Sequence, residues 1–171
     1  MIETISLQAD GFRFSFEVDY GRTDQEYVGM IVSFQLAPHL QSLNIHSDKT
    51  SIATEDLQRL IEYFEQHIAH IQENSSYNSD VFLNWELGFQ LQALAGEIDS
   101  LDDEDGYFDI MCLVNAGDRE TRVYAGGESN ITLKDANAFT GTIKALLEEL
   151  STYHPVAVYE NPKCPSLPLK E

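Results

Sequence analysis

A chain of 171 residues with 43% hydrophobic and 11% aromatic residues has enough apolar material to bury a core without disulfide or metal staples, which excludes disorder for the bulk of it. Twenty-nine acidic residues against ten basic ones give a formal charge of -19. That field repels phosphate backbones and anionic lipid surfaces, so neither nucleic acid nor membrane is an expected partner, while a basic protein would be drawn in.

Near the N-terminus Ile5, Leu7 and Ala9 alternate, Asp10-Gly11 supplies tight-turn chemistry, and Phe12, Phe14, Phe16, Val18 and Tyr20 alternate again. This predicts two strands joined by a hairpin. Residues 21–26 read as a polar loop. Val28, Met30, Val32, Phe34 and Leu36 resume the period of two until Pro38 ends it, and Leu40 to His46 offers a short fourth strand. Ser47 to Ser51 reads as a polar connector. Thr54 then stands where an N-cap would, with Glu55 and Asp56 suited to the positive end of the first turn. Leu57, Leu60, Ile61, Phe64, Ile68 and Ile71 make one stripe at helical spacing, so an amphipathic helix runs to Glu73. Asn74 to Ser79 is a polar link and the nearest thing to a boundary between two halves.

Asp80 to Gly96 is the longest patterned stretch. Val81, Leu83, Trp85, Leu87, Phe89, Leu91 and Ala93 fill every second position, which predicts one strand with a dry face and a wetter one. At roughly 3.3 Å per residue it would span about 50 Å, longer than strands normally run, so it must curve. Gly88 is the expected bend, with Leu87 and Phe89 keeping one phase across it. An acidic loop from Asp99 to Gly106 follows, then a strand from Tyr107 to Asn115 with Phe108, Ile110, Cys112 and Val114 on one face. Ala116-Gly117-Asp118 turns the chain. Thr121 to Ala125 reads as a strand that Gly126-Gly127 breaks before Asn130 to Leu133. Asp135 is the expected N-cap of a second helix, with Phe139, Ile143, Leu146, Leu150 and Tyr153 on its buried stripe and Pro155 as its stop. The order strands, helix, strands, helix predicts an α+β fold, with a curved antiparallel sheet or sheets and two amphipathic helices packed on them. One domain over residues 1–155 is expected, followed by an extended tail, 156–171, that contains Pro162, Pro165 and Pro168.

A search for chemistry finds little. The densest charge cluster is Asp99, Asp102, Asp103, Glu104 and Asp105. Aligning Gly106 with the glycine of an EF-hand puts Leu101 and Cys112 where carboxylates belong, so a calcium loop fails and the cluster reads as a solvated loop tip. His67-x-x-His70 with Glu73 has a spacing that metal ligands use on a helix. Measured against the apolar stripe, His67 falls at its border and His70 on the wet face, so the two read as a surface pair. There is no Gly-x-Ser-x-Gly elbow and no dinucleotide fingerprint. Trp85 and Phe89 fall in phase with aliphatic neighbours and read as core, with a cleft between sheet and helix as the place where a small ligand would enter. No cofactor and no metal is expected. Cys112 and Cys164 lack metal or redox spacing, and Met1-Ile2-Glu3-Thr4 has neither a basic leader nor an apolar core, which points to a reducing, cytoplasmic setting.

Phe82-Leu83-Asn84-Trp85-Glu86-Leu87-Gly88-Phe89 is followed by two further strands, and Ile131-Thr132-Leu133-Lys134-Asp135 opens a helix that ends at Tyr153-His154-Pro155. This order resembles bacterial WapI-type immunity proteins, small cytoplasmic antagonists of polymorphic or contact-delivered toxins. The likeness runs from the first helix to Pro155 through mostly structural positions and brings no functional residue with it. The basic residue that closes such proteins has no counterpart after Pro155. The resemblance implies binding without catalysis. The expectation is therefore a non-catalytic acidic protein that neutralises a basic, nuclease-like toxin, with Glu97, Asp99, Asp102, Asp103, Glu104, Asp105 and Glu128 at the contact. Two alternatives stand beside it: a small-ligand protein or enzyme with a cleft between sheet and helix, and a homo-oligomer joined through a sheet edge or flat face.

Overall fold

The computed structural model describes residues 2–24, 26–100, 106–118 and 120–152. They form nine strands and two helices, with the strands in two antiparallel sheets, in the order strands, helix, strands, helix.

The first sheet begins with the expected hairpin. β1 (Ile2–Gln8) pairs with β2 (Phe12–Asp24), which sets Ile5 opposite Phe16 and Leu7 opposite Phe14, all four buried. β3 (Tyr27–Leu36) pairs with the other side of β2 and buries Val28, Met30, Val32 and Phe34. Three expectations change around it. β2 continues through the predicted polar loop to Asp24, with a slip of register between Asp19 and Asp24. The fourth strand shrinks to β4 (Asn44–His46), and the predicted connector supplies β5 (Thr50–Ala53), whose Ile52 is buried opposite Val28. β-branched Thr50 and Ile52 favour a strand wherever a free edge of β3 is offered, which a local reading of Ser47 to Ser51 does not reveal.

α1 (Thr54–Glu73) buries the whole predicted stripe and, with it, Asp56 and His67. Its N-cap position is Ala53, with no side-chain cap, so Thr54 is the first helical residue instead of the cap.

The single long strand does not exist. The second sheet runs in the order β6 (Phe82–Leu83), β7 (Phe89–Glu97), β8 (Tyr107–Asn115), β9 (Tyr124–Thr132). Between β6 and β7 the chain reverses over 84–88, where the Leu87 N–H donates to the Asn84 carbonyl at 2.9 Å and Phe82 comes to pair with Leu91. Phe82, in the opposite phase to that expected, is buried, whereas Val81 is 48% and Trp85 62% exposed. The residue in the left-handed region is Leu87, at φ 58°, and not Gly88. A hairpin turn whose tip carries apolar residues gives the same alternation as an unbroken strand, and no partner strand here could pair with a run of about 50 Å.

β9 passes unbroken through Gly126-Gly127, which pair with Leu113 and Cys112. A Cβ on Gly126 would collide with the Cys112 carbonyl oxygen, and one on Gly127 would stand 3.3 Å from the Phe34 ring. The two glycines therefore permit close approach and do not end the strand. α2 (Leu133–Thr152) starts three residues earlier than an N-cap at Asp135 would place it. The Asp135 N–H donates to Thr132 Oγ1 at 3.1 Å, and that hydroxyl donates back to Asp135 Oδ2 at 2.6 Å, so Thr132 is the cap and Asp135 its reciprocal partner. Phe139, Ile143 and Leu146 are buried, while Tyr153, Pro155 and the proline tail lie outside the described residues.

One core joins these parts. α1 packs on β5 and β7, α2 on β1 and β9, the helices touch each other, and β3 approaches β8. The Phe16 ring lies 5.0 Å from Phe89 and 5.9 Å from Phe139, and Phe64 lies 6.3 Å from Phe108 and 5.7 Å from Phe139, spacings at which tilted rings attract. Among the described residues no helix is long and apolar enough to cross a membrane.

Candidate functional site

Of the residues expected at a partner contact, Asp102, Asp103, Glu104 and Asp105 lie outside the described residues. Glu97, Asp99 and Glu128 are exposed. Glu97 ends β7 opposite Tyr107, and Glu128 faces Met111 across β9 and β8, which puts both on the outer face of the second sheet. They are not neighbours. The row through Glu97, Tyr107 and Thr132 lies about 13 Å along β9 from Glu128. From one row to the other the same face of β8 carries exposed Tyr107 and half-buried Asp109 and Met111, with half-buried Leu113 beyond Glu128. The result is a mixed face in which carboxylates and apolar side chains alternate.

The histidine pair separates. His67 sits three residues after Phe64 and four before Ile71, on the stripe itself, and is fully buried. Its Nδ1 lies 2.9 Å from Ser79 Oγ and its ring 4.8 Å from Phe108, while Nε2 has no hydrogen-bond partner among the described residues. Burial pushes the imidazole down to about 4, with the Leu94 carbonyl opposing the shift and His70 adding to it. His70 is exposed, bonds back to the Gln66 carbonyl and stacks on Tyr77 at 4.5 Å. Among the described residues no three His, Cys, Asp or Glu side chains converge as metal ligands do.

A cleft of about 770 Å³ opens where the loops of the two sheets meet. Tyr27 to Gly29 and Ser47 to Ser51 form one wall, and Glu86 to Gly88 with Asn115, Asp118 and Arg122 form the other. None of its lining belongs to a helix, so the space is between sheets and not between sheet and helix. Of its charged residues, Lys49 and Asp118 are committed. Lys49 pairs with Asp19 at 3.1 Å, and Asp118 accepts the Thr121 and Glu120 N–H groups at 2.6 and 2.9 Å, which hold its carboxyl below the usual carboxylate range. The arrangement can hold a polar group, but it presents no nucleophile bonded to a base.

The feature that sequence reasoning missed is the turn over 84–88. Its backbone is tied down from several directions. The Trp85 N–H donates to Asp56 Oδ2 at 2.8 Å and the Phe89 N–H to Asn84 Oδ1 at 3.0 Å. The strained Leu87 offers its carbonyl to Asn115 Nδ2 at 3.1 Å and to the Tyr124 hydroxyl at 2.9 Å. Asp56 also pairs with Arg59, whose guanidinium carbon lies 5.2 Å from the Phe82 ring centre and 5.9 Å from that of Trp85. Tyr63 fastens the base of the hairpin by donating to the Asp80 carbonyl at 3.0 Å and accepting the Ala93 N–H at 2.8 Å, and burial raises its phenol to about 12. Asn84 and Gly88, turn-forming residues that bracket the tip, are the signal that could have revealed it.

No protein-family model matches the chain, and no curated protein matches it significantly. The surfaces themselves must carry the functional reading.

Proposed function

We propose that this is a non-catalytic binding protein whose acidic surface complements a basic partner protein, as the resemblance to toxin-neutralising immunity proteins implies. The observation that carries the reading is the charge of -19. Across a screening length of about 8 Å at physiological salt, such a charge speeds encounter with a positive surface and disfavours acidic competitors. A nuclease-like toxin fits because a surface that holds phosphates has to be basic. The outer face of the second sheet supports the same reading, since exposed Tyr107 and half-buried Met111 and Leu113 alternate there with the carboxylates of Glu97, Asp109 and Glu128, a mixed surface to which a basic partner can bring both apolar contact and charge.

The test is co-expression with basic, nuclease-like toxin domains, those encoded by neighbouring reading frames first, followed by binding kinetics on the purified pair. Rescue of growth and an association rate that falls steeply with salt are expected, with Glu97→Lys/Glu128→Lys slowing association by about tenfold at low salt. Absence of binding and of rescue removes the immunity reading. The inter-sheet cleft favours a second reading, a small polar ligand held near Arg122, which a thermal-shift screen of metabolites would detect.

A further inference from the structure

We propose that Trp85 is a preformed anchor for an arginine side chain on the partner's surface, an inference that rests on the basic-partner reading above. Trp85 is the chain's one tryptophan and is 62% exposed, although a side chain of that size normally finds cover. Its exposure is not slack. The backbone on either side is fixed by Asp56, Asn84, Asn115 and Tyr124, so little freedom remains to be lost when a partner lands on the ring.

The charges around the ring select the occupant. Glu86, exposed, follows Trp85 in the turn. Exposed Glu55 and Glu62 stand one turn on either side of Arg59, whose guanidinium carbon is 5.9 Å from the ring centre, and Glu62 accepts only a neutral amide, Gln58 Nε2, at 3.1 Å. The charge of Arg59 is already matched by the buried Asp56 carboxylate, which leaves the surrounding carboxylates unbalanced. A guanidinium stacks on an indole better than on any other side chain, and its N–H groups can fork to flanking carboxylates. An apolar partner would strip water from those carboxylates without compensation, and a second copy of this chain would bring another charge of -19. Tryptophan and arginine are also the residues that most often dominate interface energetics.

The experiment uses the full chain as bait against a random displayed peptide library, with Trp85→Ala, Trp85→Phe and Glu55→Lys/Glu86→Lys as parallel baits. Each bait is first checked by circular dichroism and melting. The expected result is enrichment of arginine over lysine and over neutral residues on the wild type. Selected peptides should bind Trp85→Ala about tenfold more weakly, bind Trp85→Phe with an intermediate affinity, and perturb the emission of the lone indole saturably. Replacing their arginine by citrulline should abolish that perturbation. Peptides that bind Trp85→Ala as tightly as the wild type overturn the anchor but leave the basic-partner reading standing. Failure of the wild type to select any basic peptide overturns both. Should Trp85→Ala melt early, Trp85→Phe and the charge-reversal bait decide the matter, and equal binding by both overturns the anchor.

Discussion

His67 shows how much one side chain's chemistry depends on where the helix turns it. In the folded protein its imidazole titrates near 4, against 6.5 when free in water. Well above pH 6.5 it is neutral in both states and adds no pH dependence. As pH falls from there toward 4, the unfolded chain takes up a proton that the folded one refuses, and stability drops by up to about 1.4 kcal/mol per unit. Between pH 7 and pH 5 the wild type should therefore lose up to about 2 kcal/mol more than His67→Gln, a difference that urea titrations at the two pH values would read. Asp56 acts through hydrogen bonding. Asp56→Ala removes the acceptor of the Trp85 N–H and strands Arg59, and should cost about 1–3 kcal/mol, whereas Asp48→Ala on the exposed cleft rim should stay within about 0.5 kcal/mol.

At the scale of elements, the two helix starts separate a real cap from an apparent one. Thr132→Ala should lower stability by about 1 kcal/mol, because Thr132 bonds the Asp135 N–H, while Thr54→Ala should leave it nearly unchanged. Denaturation midpoints at fixed m-value distinguish the two outcomes. The β1–β2 hairpin, β3, α1 and β8 were legible in the sequence because each presents one unbroken face to the core, so local period and global burial agree. The turn over 84–88 was not, because Trp85 and Leu87 hold the phase of a strand while facing water or bending back. Gly126-Gly127 misled for a related reason. What they accommodate, the Cys112 carbonyl and the Phe34 ring, comes from other parts of the chain. The acidic character of the candidate contact was visible from composition, but the separation of Glu97 from Glu128 depends on strand register, which no count of charges supplies.

For the whole molecule, charge sets opposite demands on folding and on association. Raising salt from about 0.01 M to about 1 M shortens the screening length from about 30 Å to about 3 Å, which relieves the self-repulsion of a chain carrying -19 and should raise its melting temperature. The same change should weaken capture of a basic partner. A melting temperature indifferent to salt would mean that the carboxylates are too widely spread to repel one another. The thiol of Cys112 offers an independent view of the same body. It is fully buried on β8, next to one edge strand of its sheet, and desolvation pushes its ionisation far above neutrality. In a Cys164→Ser background, alkylation of that sulfur would be a clock for the uncovering of the core beneath β8, ticking only when the inner face of the sheet opens and slowing when a bound protein clamps it shut.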